Sequence, residues 1–309
     1  MIPVNSVLQV GLFPELMQAE IDARFTPTHH LDPQAPPPAG QFEAILLRSN
    51  TKLPEALVKQ IPSIRMVATC GVGYDNLPLA YLKEQGIKAS NTPGVLNDAV
   101  CELAIGIMLG LLRRIPESEA FVKSGAWSKA PFKSATTLAG KRVGIVGMGR
   151  IGQDLAKRLE PFKVDIAYSG PSPKQVPYTY YRNILDLAKD SDVLFLACPA
   201  TPDTDKIVNA QVLEAIGPTA FLINIARGSV VDEEALLYAL QHKKIAGAAL
   251  DVFDNEPNPN PAFLRLDNVL LTPHIGSATT ETRIAMTNLA VDNLEAFFSK
   301  QPLLSEVHI

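Results

Sequence analysis

One run constrains this chain more than any other: Lys141-Arg142-Val143-Gly144-Ile145-Val146 followed at once by Gly147-Met148-Gly149-Arg150-Ile151-Gly152. The spacing G-x-G-x-x-G is common by itself. Here it follows a β-branched strand pattern and opens a helical one that runs to about Glu160, the context in which it describes a dinucleotide-binding turn. The first glycine permits the tight turn. The second brings backbone close to a pyrophosphate, and the third lets the helix pack against the strand. The helix N-terminus then turns unpaired N–H groups and the positive end of its dipole toward the anion.

The rest of the chain is organised around similar units. A single hydrophobic core stops growing near ~250–300 residues, so a chain of 309 residues is expected to form two domains. Short apolar runs read as strands at Val7–Val10, Phe42–Leu47 and Ile64–Thr69, and, after the glycine turn, at Val164–Tyr168, Val193–Ala197, Ala220–Ile225, Ile245–Leu250 and Val269–Leu271. Helical patterns fall between most of them, which indicates α/β architecture with doubly wound parallel sheets. The proline-dense stretch Asp32–Gly40 reads as a surface loop. A long helix is expected from about Asp98 to Arg114, looser sequence over Pro116–Gly140, and a final helix over Thr279–Ser299. The chain thus enters its second half through one long helix and leaves it through another. The boundaries expected are 98–278 for a dinucleotide-binding domain, and 1–97 with 279–309 for a domain built from both termini.

Composition excludes several classes. The net charge is −4 and no basic block marks a nucleic-acid or anionic-membrane surface. The strongly apolar run Leu103–Leu112 is far short of the ~20 residues that cross a bilayer. The start Met1-Ile2-Pro3-Val4-Asn5-Ser6 lacks the basic and apolar regions of a signal peptide. Cys70, Cys101 and Cys198 are widely spaced and form neither a disulfide framework nor a metal pair. No metal constellation is seen, and a reducing, cytoplasmic setting is expected. His29, His30, His242 and His308 read as surface residues.

The cofactor can be narrowed. An acid commonly ends the second strand of such a unit, about 20 residues on, and binds the ribose hydroxyls of NAD. Here Val164-Asp165-Ile166-Ala167-Tyr168 ends in Ser169-Gly170, with Asp165 inside the strand. A neutral tip removes repulsion against a 2′-phosphate, Ser169 offers a hydrogen bond, and Arg150 or Lys174 offers positive charge. NADP is therefore expected over NAD, with NAD still possible.

Three polar residues follow three apolar strands. Arg227 follows Phe221–Ala226, Glu256 follows Ala246–Leu250 through Asp251, and His274 follows Val269–Pro273. Carboxyl ends of parallel strands share one edge, where ligands bind. Taken singly, each residue also fits a structural role. Together they suit reduction of a 2-keto acid. A guanidinium holds the carboxylate through paired hydrogen bonds, and an imidazolium protonates the oxygen as hydride reaches C2. A carboxylate orients the ring. Arg227 is assigned to substrate, His274 to acid/base work and Glu256 to His274.

The motifs Val143–Gly152, Asn224-Ile225-Ala226-Arg227-Gly228, Asp251-Val252-Phe253-Asp254-Asn255-Glu256-Pro257 and Thr272-Pro273-His274-Ile275-Gly276-Ser277, in this order, resemble those of the D-isomer-specific 2-hydroxyacid dehydrogenase family. The resemblance implies two Rossmann-like domains, the substrate domain built from both termini, a homodimer formed largely by the cofactor domains, and the same catalytic trio. It implies that Gly71-Val72-Gly73-Tyr74-Asp75-Asn76 is a loop whose Val72 and Gly73 amides hold the substrate carboxylate. Leu47-Arg48-Ser49 resembles a second substrate-side loop, and Trp127 lies where related reductases place a residue reaching across the dimer. The cofactor contacts implied are Gly147, Met148, Gly149, Arg150, Ile151, Gly152, Ser169, Lys174, Cys198, Pro199, Thr204, Ile225, Ala226, Asp251 and Gly276. Within the family, Asn91-Thr92-Pro93-Gly94-Val95-Leu96 and Asn255–Pro261 are most similar to glyoxylate/hydroxypyruvate reductases and 2-ketogluconate-type reductases. That likeness implies NADPH-dependent reduction of a small 2-keto acid to the D-2-hydroxy acid. D-lactate or D-3-phosphoglycerate dehydrogenase activity, or a dinucleotide-sensing corepressor-like role, remain alternatives. One departure bears on the cofactor: many NADP-using relatives carry Arg soon after the Ser at the strand tip. Gly170-Pro171-Ser172-Pro173-Lys174 stands there instead, so a modest preference is expected.

Overall fold

The computed structural model describes residues 2–308. In chain order the elements are β1 (Val7–Val10), α1 (Glu15–Asp22), β2 (Thr28–His30), β3 (Ala44–Arg48), α2 (Glu55–Lys59), β4 (Met66–Cys70), α3 (Leu79–Glu84) and β5 (Lys88–Ser90). Then come α4 (Asn97–Leu112), α5 (Ile115–Lys123), β6 (Arg142–Val146), α6 (Arg150–Leu159), β7 (Asp165–Ser169), β8 (Thr179–Tyr181), α7 (Ile184–Lys189) and β9 (Val193–Leu196). Last are α8 (Ala210–Ile216), β10 (Phe221–Asn224), α9 (Glu233–Gln241), β11 (Gly247–Leu250), β12 (Val269–Leu271) and α10 (Thr280–Phe298). The chain divides into two compact units, Met1–Leu96 with Ser277–Ile309, and Asn97–Gly276.

The larger unit holds a seven-stranded sheet in the order β12-β11-β10-β9-β6-β7-β8, and every pairing in it is parallel. The order reverses at β6, so the loop that follows β6 opens at the topological switch point where dinucleotides bind in such sheets. A fully parallel sheet needs cover on both faces, which explains the continuous apolar runs. On one face α4 and α6 bury Cys101, Ala104, Met108, Leu155 and Leu159 against Val143, Ile145, Phe195 and Ile223. On the other, α7, α8 and α9 bury Leu187, Val212, Leu213, Leu236 and Leu240 against Leu194, Leu222 and Ala248.

The smaller unit holds a five-stranded parallel sheet in the order β2-β1-β3-β4-β5. Helix α10 packs on β4 and α1, so the C-terminal segment completes this unit. Its tail is stitched in by polar bonds. Asn293, buried on α10, donates to Ser305 Oγ at 2.9 Å and to the Leu289 carbonyl at 2.8 Å. It also accepts from the Ser305 amide at 3.1 Å. Ser305 Oγ donates in turn to the Asn91 carbonyl at 2.6 Å, and the Val307 amide donates to Ala89 at 2.8 Å.

Some expectations need correction. Pro116–Gly140 is not uniformly loose: α5 covers Ile115–Lys123. Pro116 sits in its first turn, where the missing N–H has no intrahelical partner to lose. His30, expected at the surface, is buried on β2 beside β1. Three-residue strands such as β2, β5 and β8 carry too little apolar periodicity to stand out in sequence. The cysteines are free and buried. Among the described residues no helix is long and apolar enough to cross a membrane.

Replacing Asn293 with Ala leaves the Ser305 amide without its acceptor inside the small unit. We expect a loss of about 1–3 kcal/mol of stability, read by denaturant unfolding.

Candidate active site

The glycine turn is shaped as its chemistry requires. Gly147 has φ +101°, and a Cβ there would lie 2.7 Å from the Cys198 backbone. A Cβ on Gly152 would fall 2.0 Å from the Gly147 carbonyl oxygen, so α6 reaches β6 only because this position is bare. Gly149 is different: a Cβ there would meet nothing within 4 Å. Space therefore stands open where backbone would face a phosphate, in front of the α6 N-terminus, whose Gly149 cap supplies no side-chain hydrogen bond. These residues fit a dinucleotide. Arg150 is exposed beside the turn, and Ile151 occupies the first turn of α6. Met148 sends its side chain into the core, so only its backbone faces outward.

Ser169 ends β7 in register with Val146, and its carbonyl accepts from the Gly147 amide at 2.8 Å. No carboxylate stands at this tip, since Asp165 is at the opposite end of the strand. Lys174 is exposed, held at its backbone by a 2.7 Å bond to the Tyr168 hydroxyl oxygen. Cys198 is buried, and burial pushes its thiol up to about 11. Thr204 closes the loop after β9: its hydroxyl donates to the exposed Pro199 carbonyl at 2.7 Å and accepts from Thr201 at 2.8 Å.

Arg227 follows β10. Buried Asn224 pins this turn: its side chain accepts from the Ala226 amide at 3.0 Å and donates to the Arg227 carbonyl at 2.9 Å. The Arg227 guanidinium also donates to the Ala226 carbonyl at 2.8 Å. Ile225, between them, packs against the core that α4 and α6 cover. Gly228 allows the next step. A Cβ there would lie 2.0 Å from the Phe253 carbonyl carbon, so the loop after β10 presses against the loop after β11, which carries Glu256.

His274 sits in the left-handed region at φ +51°. Asp251 holds that strained turn, accepting from Thr272 Oγ1 at 2.6 Å, the Ile275 amide at 2.8 Å and the Gly276 amide at 2.8 Å. Burial raises the Asp251 pKa, against these donors and the nearby His274. His274 Nδ1 then lies 2.6 Å from Glu256 Oε2. An ionised carboxylate only accepts, so Nδ1 carries the proton and Nε2 is left for other work. Burial works against the charge on Glu256. The His274 bond and charge, a 3.0 Å bond from the Phe253 amide and the field of Arg227 outweigh it and hold its carboxyl below the usual range. The larger unit thus brings Arg227, Glu256 and His274 together at one sheet edge. Asn224, unassigned from sequence, proves to be one clamp, and Thr272, also unassigned, anchors the other, Asp251; each is one polar residue closing an apolar strand, a pattern the sequence does carry.

Arg48, Ser49, Val72 and Gly73 lie in the smaller unit. Ser49 occupies the space a Gly71 Cβ would fill, 2.1 Å from its Oγ, which joins the two loops. Asn76 ties them further, donating to the Arg48 carbonyl at 3.3 Å and the Thr51 carbonyl at 2.7 Å. Asn91 donates to the Val72 carbonyl at 2.8 Å. Trp127, in a short 3-10 turn after α5 of the larger unit, is 68% exposed. Among the described residues no three His, Cys, Asp or Glu side chains gather as a metal site.

The second and third glycines of the motif separate binding from folding. Gly149→Ala should keep the melting temperature within a degree or two and weaken dinucleotide binding at least tenfold. Gly152→Ala should destabilise the fold by several kcal/mol through overpacking. Thermal melts and cofactor-fluorescence titrations distinguish the two.

Comparison with known proteins agrees with this geometry. The family model for the D-isomer specific 2-hydroxyacid dehydrogenase NAD binding domain matches residues 105–276. Hydroxyphenylpyruvate reductase of Plectranthus scutellarioides is 45% identical over 270 residues, 87% of this chain and 86% of that protein. Glyoxylate/hydroxypyruvate reductase A of Arabidopsis thaliana is 47% identical over 252 residues, 81% and 80% of the two chains. The crystal structure of NADPH-dependent glyoxylate/hydroxypyruvate reductase from Sinorhizobium meliloti, in complex with NADP and malonate, has a TM-score of 0.94 at 39% identity. It covers 99% of this chain and 97% of that one. With a glycine turn at the switch point and an Arg, a Glu and a His gathered at the same sheet edge, this oxidoreductase belongs to the D-isomer specific 2-hydroxyacid dehydrogenase family.

Proposed function

We propose that the protein reduces a small 2-keto acid, glyoxylate or hydroxypyruvate among them, to the D-2-hydroxy acid with NADPH. The observation that carries this reading is the 2.6 Å bond between His274 and Glu256 at the carboxyl edge of the larger sheet. It leaves Nε2 of a properly oriented ring to donate a proton to the oxygen on C2 in reduction and to accept one in the reverse direction. Arg227 binds the substrate carboxylate through its planar fork. On the smaller unit the Val72 and Gly73 amides are assigned to the substrate, with Arg48 and Ser49 beside them. The bound nicotinamide dinucleotide supplies the hydride. Glu256 keeps its charge to lower pH than an ordinary glutamate, so acidification through the usual glutamate range leaves the His274 pair intact.

The carbon skeleton accepted is supported by the relatives, which are named for glyoxylate, hydroxypyruvate and hydroxyphenylpyruvate reduction. NADPH over NADH is supported by the neutral tip at Ser169-Gly170 and by the NADP bound to the Sinorhizobium meliloti enzyme. In this reading the larger unit is the cofactor domain, the smaller unit is the substrate domain, and the protein works as a homodimer. The exposed apolar side chains of Ile115, Val122 and Trp127 on one stretch of chain support the dimer. A reducing, cytoplasmic location belongs to the same reading, supported by three free buried cysteines.

His274→Ala should lower kcat by about 10²–10⁴-fold while NADPH still binds, because a general acid contributes that much. Stopped-flow oxidation of NADPH with fluorescence titration checks it, and retained turnover removes His274 from the mechanism. Comparing kcat/KM for NADPH and NADH over a panel of 2-keto acids should favour NADPH by a modest factor. A clear NADH preference overturns the cofactor reading.

A further inference from the structure

Tyr168, Tyr178, Tyr180 and Tyr181 stand close together in the larger unit, and their hydroxyls are not used alike. Tyr178 donates to the Glu160 carboxylate at 2.7 Å, and Tyr181 donates to the Asp190 carboxylate at 2.6 Å. The other two reach the backbone of the loop that follows β7. Tyr168 accepts from the Lys174 amide at 2.7 Å and donates to the carbonyl of the same residue at 3.4 Å. Tyr180 donates to the Gly170 carbonyl at 3.0 Å. Both ends of Gly170-Pro171-Ser172-Pro173-Lys174 are therefore tied by phenol groups, one on β7 and one on β8.

Strand register explains the pairing. Tyr168 and Tyr180 are partners on the parallel strands β7 and β8, so they project from the same face of the sheet. Their ring centroids lie 5.3 Å apart. Tyr168 is buried in the core that α4 and α6 cover, and Tyr180 packs against that core. The loop is thus drawn to the side of the sheet that carries α6, the helix opened by the glycine turn. Pro171 and Pro173 each fix φ, so little freedom is left between the two ties. The start of the loop is uncrowded, since a Cβ on Gly170 would meet nothing within 4 Å.

The same register brings a cation. Ser169, the last residue of β7, is paired with Tyr181, the last residue of β8. Gly170 and Arg182 therefore leave adjoining strands at one edge, at a strand spacing of about 4.8 Å. Arg182 and Lys174 are exposed, and among the described residues neither forms an ion pair, whereas Arg142 takes both Asp190 and Asp192. No Asp or Glu occurs between Ser169 and Asn183. The edge at the tip of β7 thus carries two cations and no acid.

We propose that Tyr168 and Tyr180 are positioning residues for the 2′-phosphate of NADP: they hold Gly170–Lys174 in place before the cofactor arrives, and Arg182 supplies the charge that an Arg next to Ser169 would otherwise bring. This rests on the reading of NADPH as the cofactor. The adenosine ribose meets the tip of the second strand of such a unit, here Ser169. A phosphate on its 2′ oxygen is then met by the loop that bears Lys174 and by Arg182 from the adjoining strand end. A loop already ordered loses little entropy on binding, so the two hydroxyls raise affinity without touching the ligand. A nucleotide without the 2′-phosphate gains nothing from them.

The test is calorimetric titration of the full-length protein with adenosine 2′,5′-bisphosphate and with 5′-AMP, so no turnover enters the reading. The variants are Tyr180→Phe, Tyr168→Phe and Arg182→Gln, with Tyr178→Phe as the control tyrosine. Each of the first two should raise Kd for the bisphosphate about three- to tenfold, and Arg182→Gln should raise it about tenfold or more. Affinity for 5′-AMP should hold in every variant, and Tyr178→Phe should change neither Kd. Tyr180 is only partly buried, so Tyr180→Phe keeps the fold where loss of the buried Tyr168 hydroxyl lowers stability; thermal melts check this. An unchanged bisphosphate affinity in either Tyr180→Phe or Arg182→Gln, or an equal loss for both nucleotides, overturns the proposal alone when the wild-type protein prefers the bisphosphate. A wild-type protein that binds 5′-AMP as tightly as the bisphosphate overturns the NADPH reading and the subsite with it.

Discussion

Parallel strand pairing is the constraint on which the site depends. Every strand of the seven-stranded sheet runs the same way, so every strand stops at the same edge. The groups placed just after β6, β10, β11 and β12 therefore lie along one edge, those after β10, β11 and β12 side by side, although the glycine turn and His274 are far apart in the chain. A mixed sheet would have sent some of them to the opposite edge. The requirement for cover on both faces follows from the same pairing. It accounts for the near-continuous apolar strands and for the helices on each side.

Convergence at an edge brings groups close but does not aim them. The aiming is done by buried polar residues that close the strands. Asn224 fixes the turn that carries Arg227, and Asp251 fixes the turn that carries His274. Gly228 lets the loops after β10 and β11 touch, which no residue with a Cβ would permit. His274 occupies a left-handed backbone conformation that costs of order 1–3 kcal/mol in a non-glycine residue. The three hydrogen bonds accepted by Asp251 offset that cost. A carboxylate buried enough to have its pKa raised, yet supplied with three donors, suits a rigid brace better than a titrating group.

The smaller unit applies the same logic with less apolar cover and more polar stitching. Its two candidate ligand loops are held by Asn76, Asn91 and the Gly71–Ser49 approach. Asn91 in turn is bonded to the C-terminal tail through Ser305 and Asn293. The last helix is thus part of the scaffold that holds the Val72 loop.

Much of this was legible in the residues themselves. Apolar runs with period two or none, broken by helical patterns, specify parallel α/β sheets, and the strands at Val7–Val10 and Val269–Leu271 agree residue for residue. The glycine turn was legible because its function is local: it needs a strand, three bare positions and a helix start within one short stretch. The edge strands β2, β5 and β8 and helix α5 were not: Thr28–His30, Lys88–Ser90 and Thr179–Tyr181 are short and lack the aliphatic run that marks the equally short β12, and Pro116 looks like a breaker until its helical position is known. The burial of His30 was hidden for the same reason. Sequence by itself determined which residue types end which strands, since strand and helix periodicity arise from chain geometry that each segment carries alone. Tertiary structure alone decided which ends meet, that His274 Nδ1 faces Glu256, and that Asp251 braces the turn carrying His274. Those are contacts between segments remote in the chain, fixed by strand order and helix packing, and no local pattern encodes them.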